Sequence, residues 1–149
     1  MQFALDSCIL IDCRENKTGA LPLLNRMKGA GHGLLAPLTV IGEVIHVCFD
    51  KGYDVHEMVT ILERPGMDTI IPSPELRDWC RMVDEVNDED NNWGSSVTDR
   101  TRLAYAITGG ADYFVTHHSE IRNLRVPSDA AANIEVIDMD QVKMILKKH

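Results

Sequence analysis

Short strand-like runs alternating with longer helical patterns constrain this chain most. The runs are Gln2 to Leu5, Leu34 to Ala36, Thr69 to Ile71, Tyr113 to Val115 and Ile134 to Ile137. Strands separated by helical connections build a layered α/β domain with a mostly parallel sheet. Local signals place the helices between them. Pro37 and Thr39 open one, with Thr39 as its cap, and Gly52 closes it. A second covers about residues 55 to 63 and ends at Pro65-Gly66. Ser73 and Pro74 supply a cap and a first-turn proline for a helix that runs to about Val86. Gly109-Gly110 stops a helix carrying Asp99, and Asp138 or Asp140 begins a terminal helix that ends in Lys147-Lys148.

The 149 residues suit one domain with a single core, without internal repeats. No apolar run approaches the roughly 18 to 20 residues of a membrane span, and no signal peptide precedes the first strand, so a cytoplasmic protein is expected. Cys8, Cys13, Cys48 and Cys80 form no CxxC and read as reduced thiols. A net charge of −8 argues against a broad electrostatic footprint for nucleic acid. A nucleic-acid partner would need a local patch, for which Arg100, Arg102, Arg122 and Arg125 are candidates, or a bound metal.

Three carboxylates carry the chemistry. Asp6 ends the first strand, and Glu43 lies in the helix after the second. At 100° per residue Glu43 sits about 40° beyond the apolar arc of Val40, Val44, Val47 and Cys48. Asp99 precedes Leu103 by four residues and Ala106 by seven, which turns it toward the core. The functional crevice of a parallel α/β sheet lies outside the carboxyl ends of its strands, and acids gathered there hold a hard divalent cation.

Each feature also has a plainer reading. Asp6 could cap a turn, Asp99 could serve the helix dipole, and Glu43 could be a solvated border residue. His117-His118 reads as a polar loop tip, and no Cys/His spacing suggests zinc, so none is expected. The acidic run from Asp84 to Asp90 lacks the glycine and distal glutamate of a calcium loop and reads as a fraying, solvated helix end.

The stretches Leu5-Asp6-Ser7-Cys8-Ile9-Leu10-Ile11-Asp12, Glu43 in its helix, Thr98-Asp99-Arg100-Thr101-Arg102-Leu103-Ala104-Tyr105-Ala106 and Gly110-Ala111-Asp112-Tyr113-Phe114-Val115-Thr116 resemble, in this order, the PIN-domain family. Its members include VapC-type toxin ribonucleases and the nuclease modules of RNA-processing factors. The resemblance spans nearly the whole chain. It implies a three-layer α/β/α sandwich, Rossmann-like, and a Mg²⁺ or Mn²⁺ site made by Asp6, Glu43 and Asp99. Ser7 matches the small hydroxyl that follows the first acid. The sequence departs from the pattern at the fourth position, where His118 stands in place of an acid, with Thr116 before it and Glu120 beyond.

The activity implied is metal-dependent hydrolysis of RNA phosphodiesters. Thr116, His118 or Glu120 would position water or phosphate, and Arg100 or Arg102 would contact the substrate. The resemblance further implies a homodimer and a protein antitoxin as partners, with no membrane. The alternative is a degenerate PIN-like module that binds RNA or a protein without cleaving. A phosphoaspartate protein is disfavoured, because no second acid stands two residues after Asp6.

Overall fold

Phe3, Ala4 and Leu5 have no solvent exposure, and they alternate between two apolar clusters, as the two-residue period of a strand covered on both faces requires. This strand, β1 (Gln2–Leu5), is the middle of a five-stranded sheet in the computed structural model, which describes residues 1–90, 94–130 and 133–148. The elements that follow are α1 (Ser7–Glu15), α2 (Ala20–Gly29), β2 (Gly33–Pro37), α3 (Leu38–Lys51), α4 (Val55–Glu63) and β3 (Asp68–Ile70). Then come α5 (Pro74–Glu89), α6 (Val97–Thr108), β4 (Tyr113–Val115), α7 (Ser119–Arg122), β5 (Glu135–Ile137) and α8 (Met139–Lys148). The sheet order is β3-β2-β1-β4-β5, and every neighbouring pair is parallel.

The two clusters make the outer layers. Phe3, Leu5, Leu34, Ala36 and Val115 face α1, α2, α3, α4 and α8, whereas Ala4, Leu35 and Phe114 face α5, α6 and α7. Each large side chain buried this way contributes about 1.5–3 kcal/mol. The result is the expected three-layer sandwich. After β3 the chain returns through α5 and α6 to β4, on the opposite side of β1, so strand order reverses between β1 and β4. The carboxyl ends of those two strands therefore border the crevice where such sheets bind ligands.

Several elements differ from the sequence reading. The helices α1, α2 and α7 were not expected. Residues 7–13 are rich in Cys and Ile, which favour helices only weakly, and Pro22 lies early in α2. Thr39 does not cap α3, whose cap position is Pro37 and has no side-chain cap bond. The helix α5 passes Val86 and continues to Glu89 because its acids are partnered: Arg100 pairs with Asp84 and Asp88, and Arg125 pairs with Asp90. Asn87, buried between them, donates to the Val83 and Arg125 carbonyls and accepts from the Arg125 amide. Among the described residues no helix is long and apolar enough to cross a membrane.

Candidate functional site

Asp6 is the first residue beyond β1 and the N-cap of α1. Its amide donates to the Val115 carbonyl at 3.0 Å, which locks the end of β1 to β4. Its side chain has no solvent exposure, and a carboxylate so desolvated needs strong partners. Oδ1 accepts from the Ser7 amide at 2.8 Å, from the Ser7 hydroxyl at 3.5 Å and from Arg102 Nη1 at 3.0 Å. Oδ2 accepts from the Thr116 hydroxyl at 2.7 Å and lies 3.8 Å from Cys8 Sγ. Thr116, fully buried at the end of β4, also receives the His118 amide at 3.1 Å. Ser7, which opens α1, and Thr116, just past β4, thus orient Asp6 from both sides of the crevice.

Glu43 reaches the same place from α3. Its carboxylate forms an ion pair with Arg102 Nη2 while the Arg102 Nη1 holds Asp6, so a single guanidinium bridges the two acids. Carboxylates crowded without a cation would repel, and here a buried arginine offsets that repulsion. Glu43 Oε2, the oxygen engaged by Arg102, is buried, and Arg102 Nε is left without a hydrogen bond, while the Glu43 side chain as a whole is 39% exposed. Two carboxylates are the donor chemistry a hard divalent cation takes, but in this structure the Arg102 guanidinium stands between them and supplies the positive charge.

The remaining sequence candidates have partners of their own. Asp99 is half-buried in the first turn of α6, where it completes a capping box: its amide donates to Ser96 Oγ and its carboxylate accepts from the Ser96 amide, both at 3.1 Å. Among the described residues, the carboxylate oxygens of Asp6, Glu43 and Asp99 do not form a group within 4.8 Å of one another. Arg100 and Arg102 are buried in ion pairs within the protein, not displayed on its surface. Arg122 pairs with Asp138, and Arg125 with Asp90, so the four arginines do not gather into a common patch. Glu120 faces solvent beside Ser119. His118 is exposed at the edge of the site, and His117 pairs through Nε2 with Asp12 at 2.8 Å.

No family model matches this chain, and no curated protein matches it. Among solved structures, VapBC2 from Rickettsia felis, bound to a DNA fragment from its promoter, aligns with a TM-score of 0.71 at 12% identity, over 93% of this chain and 98% of that one. VapBC-1 from nontypeable Haemophilus influenzae aligns with a TM-score of 0.66 at 14% identity, over 93% and 98%. PAE2754 from Pyrobaculum aerophilum aligns with a TM-score of 0.62 at 12% identity, over 100% and 97%. The fold is PIN-like. At these identities the likeness is one of fold, and in this chain Asp6 and Thr116 directly follow the paired strands β1 and β4.

Two side chains that contact Asp6 were not placed there by sequence reasoning. Arg102 was read only as a substrate contact, although its helical phase, about 60° from Asp99 and 40° from Ala106, already put it on the inward arc. Cys8 was read only as a reduced thiol. It sits in the first turn of α1 beside Asp6, receives the His117 amide at 3.4 Å, and lies 3.8 Å from Thr116 Oγ1. Burial, and then the charge of Asp6, pushes this thiol up to about 11. Asp6, Cys8 and His118 can each offer one ligand atom to a metal ion, with those atoms within 4.8 Å of one another. Nothing in the spacing of the three residues announced this, because the fold alone brings β4 beside α1.

Proposed function

We propose that this chain is a nuclease module of the VapC type, a cytoplasmic hydrolase that cleaves RNA phosphodiester bonds with the help of Mg²⁺ or Mn²⁺. The observation that carries the reading is the meeting of Asp6 and Glu43, from two elements, on one cationic group at the carboxyl edge of a parallel sheet. Asp6 and Glu43 would hold the ion. Asp99, one turn from Arg102 on α6, would complete the set by releasing its bond to Ser96. When bound, the cation would acidify a water and stabilise charge on the phosphate oxygens. Ser7 and Thr116 keep Asp6 fixed throughout. His118, exposed at the rim, would meet a phosphate or water.

Beside this edge, an open cleft of about 270 Å³ is bordered by His117, Arg122 and Lys143 among acidic neighbours, and it offers a course for a phosphate backbone. Leu38 and Ile71, which follow the ends of β2 and β3, are 43% and 66% exposed. They suit a covering protein, whether an antitoxin or a second copy of the chain.

The non-cleaving module is the second reading, and Arg102 favours it, because an internal guanidinium already neutralises the acids. Manganese titration by calorimetry, followed by RNA cleavage on the same samples, separates the two. The nuclease reading expects Mn²⁺ binding and cutting by the wild type, with cutting lost in Asp6→Asn and Asp99→Asn. A wild type that never cuts across a panel of RNAs with Mg²⁺ or Mn²⁺ selects the binding module.

A further inference from the structure

The fold uses the two oxygens of Asp6 differently. Oδ1 is taken by Arg102 and by the Ser7 amide, whereas Oδ2 faces Thr116 Oγ1 and Cys8 Sγ. His118 flanks the second side, and among the described residues Asp6, Cys8 and His118 are the one trio of such groups close enough to hold an ion. We propose that Asp6 Oδ2, Cys8 Sγ and a ring nitrogen of His118 form a binding site for a borderline divalent ion of the zinc class, with Arg102 remaining on Oδ1.

The donor set decides the class of ion. Mg²⁺ demands an octahedron of oxygens, whereas one thiolate, one imidazole and one carboxylate suit tetrahedral zinc and leave a fourth position open to water or substrate. Ligand bonds of about 2.0 to 2.3 Å put tetrahedral donors roughly 3.3 to 3.8 Å apart, so the trio must tighten by about an ångström. The Cys8 to Asp6 distance of 3.8 Å already meets this, and the exposed His118 ring is the part free to swing inward. Supporting groups are in place: the His117 amide points at Cys8 Sγ, and Thr116 Oγ1 fixes both Asp6 and the His118 amide. Without metal the thiol keeps its proton and leans on Asp6 Oδ2. Coordination would release that proton to solvent. This runs against the expectation from sequence that no zinc binds. The site shares Asp6 with the proposed nuclease centre but does not require cleavage.

Cobalt is the probe. Co²⁺ titrated into the whole chain should produce a thiolate-to-cobalt absorption band in the near ultraviolet that saturates at one equivalent. Zn²⁺ should bleach it, and excess Mg²⁺ should not. Cys8→Ser and Cys8→Ala should abolish the band. His118→Ala should weaken Co²⁺ at least about tenfold, since loss of even a group supporting a ligand costs that much. Cys80→Ser, on α5, should leave band and affinity unchanged. Circular dichroism checks that each variant folds, and if the Cys8 variants unfold, His118→Ala decides alone because its side chain is exposed. Absence of the band, its survival in Cys8→Ser, or unaltered affinity in His118→Ala would overturn the proposal. A cobalt band without RNA cleavage removes the nuclease reading alone. Mn²⁺-dependent cleavage without the band removes the zinc-class site alone.

Discussion

Arg100 and Arg102 stand two residues apart on α6, both are nearly buried, and each binds two carboxylates, yet they do different things. Two residues along a helix turn the side chain by about 200°, so the two arginines leave on opposite sides. Arg100 meets Asp84 and Asp88 of α5 at 3.4 and 2.7 Å, and those side chains are 50% and 47% exposed. Arg102 meets Asp6, which has no exposure, at the end of the central strand. The lesson lies in the partner's solvation. Half-solvated acids on a neighbouring helix can shed their arginine and rehydrate, so Arg100 acts as a clamp between α5 and α6. A fully desolvated carboxylate cannot rehydrate in the same way, so the Arg102 pair with Asp6 is the costlier of the two to break.

The largest expected effect follows from removing the charge that Asp6 needs. Arg102→Met should destabilise the protein by about 3–5 kcal/mol in urea unfolding, because it leaves a buried charge unpaired. Adding Asp6→Asn to that variant should recover most of the loss, since the orphaned charge disappears with it. A loss below about 1 kcal/mol for Arg102→Met would erase the distinction between the two arginines.

Arg100→Met tests the other side and should cost only about 1 kcal/mol, since both acids are half in water and screened. The damage should be local. Hydrogen exchange should rise over the last turn of α5, from Val86 to Glu89, where acids at a helix C-terminus repel the dipole once their partner is gone. Uniform loss of protection across the sheet would instead give Arg100 the weight assigned here to Arg102.

The same pair marks what the sequence could convey. Strand periodicity and the Gly and Pro stops were enough for the layered parallel sheet, and Asp6 at a strand end pointed to its carboxyl edge. Strand order was hidden, because nothing in one chain says that β4 returns beside β1. That placement is what joins Thr116 and His118 to Asp6 and Cys8. Asp99 shows a genuine ambiguity: Ser96, three residues before it, spells a capping box, while its phase with Leu103 points inward, and the structure uses the cap. Arg102 was legible in its helical phase, but an arginine at an inward position reads as an exception until a buried acid is known to face it.

Glu15 sharpens the comparison with an acid that is itself only 12% exposed but whose cations lie in solvent, and its effect should be the smallest. It ends α1, accepts from the Tyr53 hydroxyl and from Lys51 at 2.9 Å, and lies 3.4 Å from Lys17. The bond from Tyr53, followed by that from Lys51, lowers its carboxyl from the ordinary 4.5 to about 2. Folding therefore favours the ionised form, so this cluster stabilises the protein fully above pH 4.5, and the contribution disappears as pH falls toward 2. The gap in melting temperature between wild type and Glu15→Gln should be constant near neutral pH, narrow through that acid window and close near its lower end. Its size should stay well below that of Arg102→Met, because the cationic partners, Lys51 and Lys17, remain 47% and 63% exposed. A gap that persists unchanged to pH 2 would mean that Glu15 contributes packing and not charge, and would remove it as a measure of what solvation does to an acid in this fold.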